Sequence, residues 1–159
     1  MRLFIKSALP LICIALAGCQ TIAGSGDVGT FSGIALEEPF VATDQPMQLG
    51  REHFARGHYA LAGRYFQTAV EVTPQDGDAW IGLAASYDHL GRFDLADRAY
   101  VQAVQIKGET SQVLNNWGYS YLLRGDAAQA ERMFQKARVQ NPGSQTINNN
   151  LALLRRVPR

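Results

Sequence analysis

The sequence predicts an all-α chain, a solenoid of about three helical hairpins closed by a single capping helix. Three observations predict it. Residue types recur at an interval of 34 in eight columns, glycine marks the middle of every unit at Gly57, Gly91 and Gly125, and Pro74 and Pro142 stand two periods apart with Gly108 between them. A fixed period of this length is the mark of stacked supersecondary units that bury a continuous core against their neighbours.

The columns assign each element. Helices are placed near 46–56 and 59–72, 78–90 and 93–106, and 111–124 and 127–140, with a last one near 145–156. Small residues at Gly50, Ala84, Gly118 and Ala152 let the first helix of a pair approach the second closely. The alanines of the second helix meet it there, in the columns Ala62, Ala96, Ala130 and Ala69, Ala103, Ala137. A large ring at Phe66, Tyr100 and Phe134 fills the space beside that contact. The apolar column Leu49, Leu83, Trp117 and Leu151 runs one unit further, and His53, Tyr87 and Tyr121 form another. Glycine at 57, 91 and 125 suits the left-handed conformation that ends a helix, and Pro74 and Pro142 stop the second helices. Asp76, Thr110 and Ser144 are placed to cap the helices that follow. The last helix opens a fourth unit and does not complete it, since Arg155 stands where the column expects Tyr. A lone helix of this kind covers the final apolar face and turns polar residues outward.

Period and residue types together resemble the tetratricopeptide repeat (TPR), over residues 43 to about 156. The signature Trp-x-x-Leu/Trp-Gly/Ala-x-x-Tyr is carried by Trp80-Ile81-Gly82-Leu83-Ala84-Ala85-Ser86-Tyr87. It recurs as Leu114-Asn115-Asn116-Trp117-Gly118-Tyr119-Ser120-Tyr121. The units then run about 43–76, 77–110 and 111–144. Unit one departs from the pattern, with Pro46 in place of Trp or Leu and His53 in place of Tyr.

Ahead of the repeats, Arg2 and Lys6 open an apolar run from Ala8 to Ala17 that Pro10 interrupts. The run is far short of the roughly twenty residues that span a bilayer as a helix, and it reads as the core of a secretory signal peptide over residues 1–18. Leu16-Ala17-Gly18-Cys19 resembles the lipobox of bacterial lipoproteins. The resemblance implies diacylglyceryl transfer to the Cys19 thiol, cleavage before it and acylation of the new amino terminus. Two or three acyl chains anchor firmly where one does not. Gln20, rather than Asp, after the cysteine resembles outer-membrane sorting, hence a protein facing the periplasm. Residues 19–45 then form the lipidated cysteine and a tether rich in Gly and Pro, ahead of a repeat domain over 46–156. As random coil, residues 20–46 would reach roughly 29 Å. Gly24-Ser25-Gly26-Asp27-Val28-Gly29 matches GxGxxG, but with no strand before it and no amphipathic helix after it the stretch reads as spacer.

Composition narrows the function. Of 15 basic and 14 acidic residues, Arg2 and Lys6 leave with the signal peptide, so the mature chain carries a charge near −1. That lacks the basic excess of a sequence-independent nucleic-acid binder. Cys13 and Cys19 are the only cysteines, so the body holds no disulfide framework and no Cys-based metal site. Catalysis needs a nucleophile, base or metal in mutual reach. No His-Glu-x-x-His, Gly-x-Ser-x-Gly, Ser-x-x-Lys or Walker loop occurs in the mature chain. Glu52-His53 is followed by His58 at a spacing that fails for two ligands on one helical face, and His53 falls in a core column. The chain is expected to have no catalytic residue, no metal, no small-molecule substrate and no cofactor beyond the lipid on Cys19.

In the TPR family the first helix of each unit lines the concave side and grips a protein partner. Carried over, the groove positions are Met47, Arg51, Phe54 and Ala55 from unit one, and Ile81, Ala85, Asp88 and His89 from unit two. Unit three supplies Asn115, Tyr119, Leu122 and Leu123, and the terminal helix Asn149 and Leu153. Aromatic anchors ringed by polar residues are the composition of a recognition surface. Some of these residues could equally contact the terminal helix or the tether, for example a segment over Phe31–Pro39. Asn116 and Asn150 fit either a hydrogen bond to a bound peptide or satisfaction of neighbouring backbone groups. The cluster Arg155, Arg156 and Arg159 fits a phosphate or headgroup contact, or the commoner case of an exposed, solubilising helix end.

The stretch from Asn115-Asn116-Trp117-Gly118-Tyr119 through Arg124-Gly125-Asp126 to Met133, with Asn149-Asn150-Leu151-Ala152-Leu153, resembles the TadD-like lipoproteins of tight-adherence (Flp) pilus assembly. That resemblance implies a pilotin-like role, with a segment of the secretin or another pilus component as partner. Periodicity alone implies a membrane-tethered adaptor, which could serve another envelope machine such as peptidoglycan synthesis or outer-membrane protein assembly.

Overall fold

The computed structural model of the chain describes residues 39–156, and within them every regular element is an α-helix. The helices are α1 (Pro46–Ala55), α2 (Tyr59–Val72), α3 (Gly77–His89), α4 (Phe93–Lys107), α5 (Ser111–Leu123), α6 (Ala127–Gln140) and α7 (Gln145–Leu154). Each lies within two residues of its expected bounds. The signal sequence, Cys19, the Gly24–Gly29 stretch and Arg159 lie outside the described residues.

Punctuation follows the expected chemistry. Pro46 occupies the first turn of α1, where its missing N–H costs nothing. Asp76, Thr110 and Ser144 accept backbone N–H bonds at the starts of α3, α5 and α7. Asp126 caps α6 in the same way, a fourth cap beyond the three expected. Gly57, Gly91 and Gly125 hold φ of 80°, 69° and 82°, the left-handed region in which a side chain is strained.

Packing follows the columns. Ala62, Ala96 and Ala130 are fully buried where paired helices meet. A Cβ built at Gly50 would stand 2.8 Å from the Phe66 ring, and one at Gly118 would stand 2.8 Å from Phe134. Ala152, the fourth member of that column, is exposed, and among the described residues no second helix packs over it. Around it α7 turns Asn148 and Arg155 to solvent.

The first helices touch one another, α1 with α3, α3 with α5 and α5 with α7, whereas α2, α4 and α6 make no mutual packing contact. The first helices therefore line the inside of the curve. The junctions between units differ in kind. Apolar contact joins the first two units, where Phe66, Leu83 and Ala84 share one core. Between the second and third units α4 packs only sparsely on α5, and hydrogen bonds do more of the joining. Across the junction Asp88 accepts from Ser120 (2.6 Å), Asp97 from Arg124 (2.8 and 3.0 Å) and Trp117 (2.9 Å), and Asp78 from Gln112 (3.1 Å), while Tyr100 (2.9 Å) and Lys107 (2.5 Å) hold Asp88 and Asp78 from within the second unit.

One expectation needs correcting. The tether does not run free to the first helix: the Phe40 ring packs on Tyr65 of α2, with centroids 4.8 Å apart, beneath the Arg64 guanidinium at 4.3 Å. The Val41 N–H donates to the Tyr65 hydroxyl at 3.1 Å. His53 and His58 share no helical face, since α1 ends at Ala55; Gly57 folds the chain back and brings their Nδ1 atoms to 3.4 Å. His53 is buried and stacks on Tyr65, in keeping with its core column.

Candidate functional site: a groove lined by the first helices

Three depressions follow the inner face. The first, about 310 Å³, lies among Met47, Arg51 and Phe54 of α1, Asp78 and Ala85 of α3, and Gln112 and Asn116 of α5. The second, about 170 Å³, is walled by Phe54, His89, Tyr119 and Leu123, with Asp88 and Tyr100 also lining it. The third, about 330 Å³, lies between α5 and α7 at Asn115, Asn116, Asn141 and Thr146. Asn116 lines all three and so stands at the centre of the surface.

The structure thus gathers Met47, Arg51, Phe54, Ala85, His89, Asn115, Asn116, Tyr119 and Leu123 along one groove. Ile81 and Asp88 also line it but are 6% and 4% exposed. Ile81 packs with Ala103 and Val113 at the junction between units, so it offers the groove an edge rather than a face. Ala55, Leu122, Asn149 and Leu153 line none of these three depressions. Leu122 is half-buried against the third unit's core, and Leu153 is left 44% exposed on α7.

Hydrogen bonds define the rest. Asn116 donates to the Gln112 carbonyl at 2.8 Å, and its own carbonyl accepts from the Tyr100 hydroxyl at 3.2 Å. Asn150 donates to the Asn115 side chain at 2.9 Å, tying α7 to α5. Both amides therefore satisfy neighbouring groups within the fold. Gln112, Asp78 and Tyr100 were not anticipated in the groove. Gln112 stands four residues before Asn116, and helical periodicity could have revealed it.

The electrostatics are uneven. Hydrogen bonding from Lys107 holds the Asp78 carboxyl below its usual range despite some burial. Burial raises Asp88 to about 6, although Ser120 and Tyr100 donate to it. Burial lowers His89, which keeps its ring neutral at pH 7. His89 stacks flat on Tyr59, with centroids 4.0 Å apart, and meets Phe54 edge-on at 5.4 Å. The middle of the groove is thus aromatic, with one carboxylate beneath it and no cation lining it.

Residues 47–111 match the family model of the tetratricopeptide repeat, and the architecture is a TPR helical-hairpin solenoid with a capping helix. The chain is 27% identical over 59 residues to Superkiller protein 3 of Saccharomyces cerevisiae, a match that covers 37% of this chain and 4% of that protein. It therefore spans only a small part of that relative's length. Among solved structures, the first TPR of Spaghetti bound to the HSP90 peptide SRMEEVD superposes with a TM-score of 0.61 at 16% identity, over 74% of this chain and 96% of that one. Pseudomonas aeruginosa pilF matches at 26% identity and a TM-score of 0.61, over 70% of this chain and 51% of that one. The Yersinia enterocolitica type III secretion chaperone SycD, in complex with a peptide of the translocator YopD, matches at 19% identity and 0.59, over 72% and 95%. The fold is one in which similar chains hold peptides.

Proposed function

We propose that this chain is a non-enzymatic, lipid-anchored adaptor of the outer membrane that faces the periplasm and takes a segment of a partner protein into its inner groove. The observation that carries the reading is the continuous surface from Met47 through Asn116 to Thr146, apolar and aromatic in the middle and amide-rich at its end. Peptides bound to Spaghetti and SycD support a peptide as the class of ligand. The lipobox at 16–19 supports the anchor, and the tight-adherence pattern at 115–133 and 149–153 supports a secretin or another Flp pilus component as the partner. The lack of a His-Glu-x-x-His, Gly-x-Ser-x-Gly, Ser-x-x-Lys or Walker pattern in the mature chain supports grip rather than turnover.

The test replaces Tyr119 in the full-length protein with a photocrosslinking phenylalanine, irradiates the cells that carry the gene and identifies adducts by mass spectrometry. A secretin or pilus component in the adduct supports the proposal. A cell-wall synthase or an outer-membrane assembly factor would move the adaptor to another machine. Only lipid adducts, or none, would exclude this surface as the partner site.

A further inference from the structure

We propose that the depression between Phe54, His89 and Tyr119, with Asp88 beneath it, is a subsite for a lysine or arginine side chain of the segment held in the groove. The inference rests on the groove reading above and names the chemistry of one anchor within it.

Volume comes first. About 170 Å³ is several times the roughly 30 Å³ share of a liquid water molecule and below the 300–1,000 Å³ of small-molecule pockets, so the space suits one side chain. The walls come next. Phe54 and Tyr119 offer aromatic surface from α1 and α5, and the neutral ring of His89 adds a third wall, fixed by its stack on Tyr59. Aromatic faces attract a cation held near them, and the attraction grows once water is displaced.

The charge balance selects a cation over a neutral side chain. Arg124 pairs with Asp97 and donates to the Ser120 hydroxyl at 2.6 Å, and Lys107 pairs with Asp78. Asp88 receives only the hydroxyls of Tyr100 and Ser120, and among the described residues no cation stands within ion-pair distance of it. The charged and titratable groups around it are His89 on α3, Asp97 and Tyr100 on α4, and Arg124 on α5. Asp88, Asp97 and Arg124 together carry one net negative charge; Arg124 acts on Asp88 more strongly than Asp97 does, through the Ser120 hydroxyl it donates to (2.6 Å), but makes no direct ion pair with it. A buried carboxylate without a counter-ion is costly, and its position at about 6 records that cost. An incoming ammonium or guanidinium would offset it.

The test measures binding of the full-length chain to pools of short fluorescent peptides with randomised flanks and one fixed central residue: Lys, Arg, norleucine or Glu. At pH 7.5 the Lys and Arg pools should bind at least about fivefold more tightly than norleucine, with Glu weakest. Asp88→Asn, isosteric and able to serve both hydroxyls, should erase the Lys preference while circular dichroism stays unchanged. Tyr119→Leu should reduce it independently. Between pH 7.5 and pH 5 the Lys pool should weaken by up to about tenfold as Asp88 takes up a proton, while the norleucine pool holds steady. Equal binding of all four pools would overturn the subsite and leave the groove reading standing. A Lys preference that survives in Asp88→Asn would also overturn it, and binding of no pool would overturn both.

Discussion

The ring of Phe66 lies so close to Gly82 of the next repeat that a Cβ built there would stand 2.5 Å from its Cε1 atom. Phe66 is therefore clamped between two glycines, Gly50 of its own unit and Gly82 of the following one, and it fills the space that both leave open. The equivalent ring one unit on, Tyr100, meets Asn116 instead and uses its hydroxyl on that residue's carbonyl.

Gly82→Ala should destabilise the domain by about 1–2 kcal/mol, overpacking outweighing the helix propensity that alanine gains. Gly63→Ala is the control. Its Cβ would meet only the Ser86 Cβ, at 3.4 Å, so the substitution should be neutral or stabilising. Thermal unfolding followed at 222 nm separates the two. Equal melting temperatures for the two variants would dismiss the clamp.

Asp88 has a signed pH dependence. Its carboxyl is raised by burial to about 6 from an ordinary 3.8, so the native state holds the proton more tightly than the unfolded chain does. Stability from this group is thus greatest below pH 4, falls as pH rises towards 6 and levels off above, by up to about 3 kcal/mol. The protonated acid can donate to the Tyr100 oxygen, which frees the tyrosine proton for the Asn116 carbonyl. Asp88→Asn reproduces that arrangement at every pH. The difference in unfolding free energy, variant minus wild type, should therefore grow from near zero at pH 4 to its full value at pH 7.5. A difference that stays flat across that range would show that Asp88 ionises without strain.

The docked strap should be separable from the solenoid. Tyr65→Phe removes the acceptor of the Val41 N–H, and Phe40→Ala removes the ring beneath Arg64. Either change should raise amide hydrogen exchange at Val41 at least tenfold, by loss of about 1.4 kcal/mol or more of local protection, while α3 to α7 stay protected. Unchanged exchange at Val41 would show that these contacts do not hold the strap.

The anchor is tested at one atom. Cys19→Ser should abolish incorporation of labelled fatty acid and release the protein from membranes, since oxygen at that position offers no thiol for transfer. Label retained by the variant would remove the lipid from the proposal.

Much of the fold was legible in one dimension. Small, large and turn-forming residues at an interval of 34 set where each helix starts and which face it buries, because both depend on near neighbours and on a local period. The groove was legible only as a set of positions, and its chemistry was not. That Asp88 is buried while Leu123 stays open, that His58 folds back onto His53, and that Phe40 docks on Tyr65 follow from contacts across turns and between units. Asp88 and Ser120 are 32 residues apart in sequence and 2.6 Å apart in space. Burial, and with it the proton affinity of a carboxylate, is a property of what surrounds a side chain in three dimensions. The chain alone specified the hairpins, and their stacking decided which charges lost their water.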